Sequence, residues 1–178
     1  MVMETGRSQP MKTTGGRVVA VSSRTTTGVP KYPKESIVIG PQGVEGDFHA
    51  GPINKHKKKG DPEPNLRQVT LVAQEVLHEL NSLLHVELKP GDLGENVLVA
   101  GLGNLSQLQK GDHLMLGSKV VLEVTAQNRP CDTIRVYHPT LVEEIMGKRG
   151  ISAVVITAGP LRPGDICRLA QGVSEATA

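Results

Sequence analysis

Lys110-Gly111-Asp112-His113-Leu114-Met115-Leu116-Gly117 has a near counterpart close to the C-terminus, Pro163-Gly164-Asp165-Ile166-Cys167-Arg168-Leu169. Each is a Gly-Asp turn entering a short alternating strand, the pattern of barrels built from many short strands. Just beyond the first copy, Val120-Val121-Leu122-Glu123-Val124-Thr125 alternates β-branched with polar residues and reads as a further strand. It runs into Gln127-Asn128-Arg129-Pro130-Cys131, where Pro130 cannot donate to a ladder and ends the strand, leaving Cys131 on the loop beyond. A thiol two residues after Arg129 is a candidate for a thiolate held at lowered pKa. The plain alternative is a small, buried, apolar residue. Cys167, set between apolar partners in the second copy, reads as structural.

The remaining chain extends the same plan. Strands are expected at Gly16 to Ser22, Ser36 to Ile39, Arg67 to Val72, Val97 to Ala100 and Ile151 to Thr157, with Asp165 to Leu169 closing the sheet. A polar, threonine-rich connection leads from the first strand to Lys34. Val72, Val76, Leu77, Leu80, Leu83 and Leu84 recur at helical spacing, which predicts an amphipathic helix over Ala73 to Leu84 with His78 and His85 at the surface. Pro139 to Gly147 has proline at a helix start, glycine past its end, and Lys148-Arg149 near the negative pole. The expectation is a mainly β, single closed or partly open barrel over residues 16–169. Two or three peripheral helices and disordered tails at 1–15 and 170–178 complete it.

A chain of 178 residues is the size of one domain. Its aromatic residues are Tyr32, Phe48 and Tyr137, too few to stack bases, and a formal charge of +2 leaves little counterion-release footprint. Nucleic acid is therefore not an expected partner. No stretch is long and apolar enough for a bilayer, so neither is a membrane. Met1 to Gly15 lacks the apolar region of a secretory signal; Arg7 and Lys12 against Glu4 leave a faint organelle-targeting reading beside that of a disordered tail. Two cysteines make no disulfide framework, and the default compartment is the reducing cytoplasm, where Cys131 stays a thiol.

Several residues are candidates for chemistry. In the glycine-dense run from Gly43 to Pro52, Asp47 and His49 can act as acid and base or as two metal ligands; the alternative is an Asx-type turn with an exposed histidine. Lys55-His56-Lys57-Lys58-Lys59, flanked by Gly60-Asp61-Pro62, is a surface loop, either merely solvated or a basic lip that draws in an anion. Arg67, before a strand, can fork onto a phosphate or carboxylate. Gly94-Glu95-Asn96 offers an acceptor and an amide donor at a strand start, or a turn bonded to its own backbone.

Taken together, Gly46 to Gly51, Arg67 to Leu71, Pro90 to Asn96, Gly111-Asp112, Arg129-Pro130-Cys131 and Gly159 through Asp165 resemble, in order, the motifs of the MOSC domain. This is the C-terminal type of domain in molybdenum-cofactor sulfurases and in small stand-alone bacterial proteins. The resemblance spans roughly residues 16–169 and implies a barrel related to that of pyruvate kinase. It implies the molybdenum cofactor (molybdopterin), with Cys131 as sulfur carrier or molybdenum ligand and Asp47 and His49 beside it. The resemblance implies that glycine-rich turns and arginines hold the pterin and its phosphate. The residues expected to bind the cofactor are Arg67, Gly94, Glu95, Asn96, Arg129 and Lys55, and by their own chemistry Arg67 and the basic loop at Lys55 to Lys59 can neutralise the phosphate. Pyridoxal phosphate comes with the family by association only. Some members reduce N-hydroxylated bases or amidoximes; others carry sulfur. The sequence departs from the family where Ala153-Val154-Val155 lacks an arginine between the small residue and the valine, which thins the anion-binding set. No reductase or aminotransferase-like domain is attached, so an external electron or sulfur donor protein is implied beside a small-molecule substrate. Three readings follow: a molybdenum-dependent oxidoreductase component, a metal-free persulfide carrier on Cys131, and a non-catalytic interaction barrel with Cys131 buried.

Overall fold

Three Gly-Asp turns close in one way. The backbone N–H groups of Lys89, Gln109 and Arg162 donate to the carboxylates of Asp92 (2.8 Å), Asp112 (2.8 Å) and Asp165 (3.0 Å). The intervening Gly91, Gly111 and Gly164 take φ of 91°, 94° and 94°, a conformation open to glycine and strained for other residues. The computed structural model in which they are seen describes residues 15–170. The expected tails lie outside that range, except that Gly15 and Ala170 are already strand residues.

In chain order the strands are β1 (Gly15–Ser23), β2 (Tyr32–Lys34), β3 (Ile37–Gly40), β4 (Gly43–Val44), β5 (Val69–Ala73), β6 (Val97–Ala100), β7 (His113–Leu116), β8 (Val120–Gln127), β9 (Ile151–Thr157), β10 (Gly159–Leu161) and β11 (Ile166–Ala170). Helix α1 (Gln74–Leu84) follows β5; a 3-10 turn over Asp132–Val136 and the one-turn α2 (Leu141–Glu144) follow β8. Seven strands in the order β11-β7-β8-β9-β5-β6-β1 close into a barrel because β11 pairs back onto β1, with Cys167 opposite Gly16. The two strands that open from Gly-Asp turns, β7 and β11, pair with each other, Leu114 opposite Leu169. Every pairing in the barrel is antiparallel except β5 with β6, and α1 supplies the crossover a parallel pair requires. Short β2 hangs on β1, and β10, β3 and β4 form a small separate sheet.

The core fills the barrel with inward-facing aliphatic side chains: Leu71, Val97, Leu114, Leu116, Leu122 and Val124 are all fully or almost fully buried. Each such side chain contributes roughly 1.5–3 kcal/mol. Cys167 belongs to this core, as its sequence context predicts, and burial pushes its thiol up to about 12.

Two local expectations change. The helix expected over Pro139 to Gly147 shrinks to α2, because no side chain caps it and His138 Nδ1 takes the Thr140 N–H (3.2 Å). The threonine-rich connection contains β2, whose pairing is tertiary: Ser22 lies opposite Pro33.

Candidate functional site

β8 leaves the barrel irregularly. Its register with β9 shifts between Val124 and Ala126, a bulge that turns Thr125 outward to donate to the Leu66 carbonyl. One further rung, Asn128 N–H to Gly150 O (2.8 Å), precedes Pro130, and Cys131 emerges exposed at the start of the 3-10 turn. Its Sγ lies 2.7 Å from the Thr133 hydroxyl. The thiol borders a cleft of about 610 Å³ whose wall includes His49, Lys55, His56, Arg67 and Thr125. That volume suits a cofactor-sized ligand. A second hollow of about 660 Å³, lined by Met115, Leu161, Arg162 and Arg168 among others, holds neither a thiol nor an imidazole.

Behind the cleft lies a buried ion pair. Asp47 is 5% exposed and accepts from Lys31 Nζ (2.8 Å), the Arg24 N–H (3.1 Å) and the His49 N–H (3.1 Å). Burial works against its charge, but His49, Lys31 and the Arg24 N–H together hold the carboxyl well below the usual carboxylate range. Lys31, 2% exposed, is drawn down because burial outweighs the attraction of Asp47. His49 is lowered by burial, with Asp47 opposing and Lys31 adding to the shift. The turn glycines therefore serve an Asx-type turn that is also an ion-pair anchor, and the half-buried His49 takes its place from it. Lys31, between Pro30 and Tyr32, carries no local signal of this role; only its packing against Asp47 reveals it.

The anion-binding candidates separate into two groups. Arg67 lines the cleft, and Lys55 lines it too while donating to Phe48 O (2.6 Å) and lying 5.2 Å from the Phe48 ring centre. Lys57 is paired with Glu63 (2.7 Å), and Lys58 and Lys59 are exposed, so the basic lip is narrower than the run of lysines suggests. Arg129 is exposed and absent from the cleft wall. Burial lowers Arg67 and Arg149, and charge on Cys131 opposes that shift in both. Arg149 corrects the reading of Lys148-Arg149 as a helix-end pair: Lys148 meets Glu79, while Arg149 turns inward, 4% exposed, to donate to Leu93 O. It stands five positions before Val154, where the family's arginine is missing.

Gly94, at φ 79°, is not on the cleft wall; it gives Val29 and Arg149 room to approach. Glu95 is buried, its Oε1 accepting from the Gly91 N–H (2.6 Å) and its Oε2 without a partner. Burial pushes its carboxyl up, and the backbone bond and Arg149 oppose this. Asn96 is spent on the barrel, accepting from the Thr70 N–H (3.2 Å) and donating to Ser22 O (3.1 Å). Asn128 leaves its Nδ2 without a partner, as Arg149 leaves its Nε. Asn128 Oδ1 accepts from the hydroxyl of Ser152, which lines the cleft wall.

Among the described residues, no group of three or more His, Cys, Asp or Glu is arranged to hold a metal ion, and no helix is long and apolar enough to cross a membrane. A model of the MOSC domain matches residues 45–168. YuaD of Bacillus subtilis (strain 168), named for metal-sulfur cluster biosynthesis, is 31% identical over 144 residues, covering 69% of this chain and 73% of the relative. The crystal structure of YuaD superposes with a TM-score of 0.77 at 24% identity over 86% of this chain and 94% of that one. YiiM from Geobacillus stearothermophilus shares the fold at a TM-score of 0.67 and 21% identity, over 89% and 77% of the two chains.

Proposed function

The chain belongs to the MOSC domain family, and on that premise we propose that it binds a pyranopterin molybdenum cofactor through Cys131 and takes part in reducing N-hydroxylated compounds. The observation that carries this reading is an exposed thiol beside a cleft of about 610 Å³ that has the Arg67 guanidinium and the Lys55 ammonium on its wall.

The donor set fits such a group. Cys131 is the soft ligand a high-valent metal–sulfur centre takes, and Thr133 donates to it when it is a thiolate. Arg67 and Lys55 face the cleft as phosphate partners. The bound cofactor supplies the two-electron redox chemistry. The chain's own residues bind it, orient it and place a proton-carrying imidazole, His49, on the same wall, with Asp47 fixing that imidazole from behind. Electrons come from an external donor protein, and a reducing cytoplasm keeps the thiol free.

A second reading, a persulfide carrier without metal, draws support from the same exposed sulfur and from the name of the relative YuaD. The third, an interaction barrel with Cys131 buried, loses its premise because the thiol is exposed. Metal analysis and oxidised-pterin fluorescence on protein from a cofactor-producing host, wild type beside Cys131→Ser, separate the first two. Molybdenum and pterin in the wild type and their loss from the variant support the proposal. Metal-free wild type that gains one sulfur in mass after treatment with a cysteine desulfurase, with no gain on Cys131→Ser, establishes the carrier instead.

A further inference from the structure

Within the cleft, the Nε2 atoms of His49 and His56 lie 2.9 Å apart, with ring centres 5.0 Å apart and planes inclined at 34°. The two nitrogens thus lie nearly on the line joining the rings. That is the head-on geometry of a hydrogen bond; two imidazoles sharing a metal converge on a third point instead. Phe48 packs its edge against both rings, at 5.4 and 5.8 Å. His56 is held by its own N–H to Asn54 Oδ1 (3.0 Å), and its loop is clasped by Asn54 N–H to Glu63 O (2.9 Å) and by the Lys57–Glu63 pair. The far side of His49 is closed: its Nδ1 meets Lys31 Nζ at 3.4 Å and Asp47 Oδ2 at 3.6 Å. His49 therefore exchanges protons through the one nitrogen that faces His56, and His56 is the exposed member of the pair.

Resting on the molybdenum reading above, we propose that His49 and His56 share one proton and deliver it to the hydroxyl group leaving the substrate nitrogen. As the N–O bond breaks, that oxygen takes the pair's proton and leaves as water. The nitrogen keeps the electron pair supplied by the external donor protein and takes a second proton from solvent, giving R–NH₂ from R–NH–OH. His56 is then reloaded from bulk water. The surroundings suit one proton but not two. Burial opposes charge on both rings; Asp47 favours a proton on His49 against Lys31 and Arg67, whereas His49, Arg67 and Lys58 all oppose a further one on His56.

The test uses full-length, molybdenum-loaded protein with an N-hydroxylated amidine, comparing wild type with His56→Gln, and ring-proton NMR titration of both proteins without cofactor. Expected are a fall in kcat of about 10²-fold at unchanged KM, loss of the wild type's acid-side rise in rate, and partial rescue by added imidazole. In the titration, the ring protons of both histidines in wild type follow a single shared protonation step, whereas in His56→Gln His49 responds alone. Wild type that reduces the substrate beside a His56→Gln variant with the same kcat and pH profile overturns the pair alone. So do two rings that titrate independently. Wild type without molybdenum, pterin or reduction overturns the underlying reading and the pair with it.

Discussion

Replacing Asp47 by alanine removes the counter-ion of a lysine that is 2% exposed and orphans the N–H groups of Arg24 and His49. Breaking a buried ion pair from one side costs about 3–5 kcal/mol. Each orphaned N–H is worth about 1–3 kcal/mol, but water entering the void recovers part of that. Lys31, already drawn down by burial, can also shed its proton, which caps the loss. The expected total is about 3–5 kcal/mol, a large share of the roughly 5–15 kcal/mol that holds a domain together. Urea denaturation at pH 7, followed by far-ultraviolet circular dichroism, reads it as a midpoint lowered by at least about 1 M at unchanged slope. Lys31→Met/Asp47→Leu recovers most of the loss, since an apolar pair of similar volume needs no counter-ion. The sign with pH follows from the depressed carboxyl. Its contribution is complete above the unfolded value of about 4 and is lost as pH falls toward the folded one, so wild type shows an acid-side slope that Asp47→Ala lacks. A loss below about 1 kcal/mol in the single variant, or no recovery in the double one, refutes the buried-pair account.

Thiol titration at pH 7.5 should count one fast cysteine, Cys131, and a second, Cys167, only in denaturant; two fast equivalents contradict the burial of Cys167. Asn96→Ala leaves Ser22 O and Thr70 N–H without a partner inside the barrel and is expected to cost at least about 2 kcal/mol by urea denaturation, against under 0.5 kcal/mol for a surface site. Gly150→Ala combines a φ of 87° with a methyl group driven into the Leu71 carbonyl, whereas Gly111→Ala has φ 94° and open space. Thermal denaturation should show the first as clearly the more damaging, with the second limited to backbone strain of about 1–3 kcal/mol.

The barrel was legible because its strands announce themselves locally. A Gly-Asp turn needs its glycine and its carboxylate at fixed spacing, and alternation continues directly from it, so β7, β8 and β11 could be placed before any pairing was known. Cys131 could be placed on a loop for the same reason, since Pro130 ends a strand whatever surrounds it. Short β2, β4 and β10 were not legible: two or three residues cannot carry a period, and they exist as strands only because a neighbour offers hydrogen bonds. Asp47 and His49 were visible as a pair, yet Lys31, which fixes their charge, sits in a connection with no pattern of its own.

By itself the amino-acid sequence determined where the backbone must turn, where it extends, and that one thiol stands just past a strand. Those are properties of neighbouring residues and of fixed dihedral preferences. Which charges meet was settled by closure of the barrel. It turned Arg149 inward and left Arg129 in solvent, buried Lys31 on Asp47, committed Asn96 to the wall, and swung His56 out of a run of lysines onto His49. Attraction and burial act between groups that are near in space, and chain order does not encode that nearness.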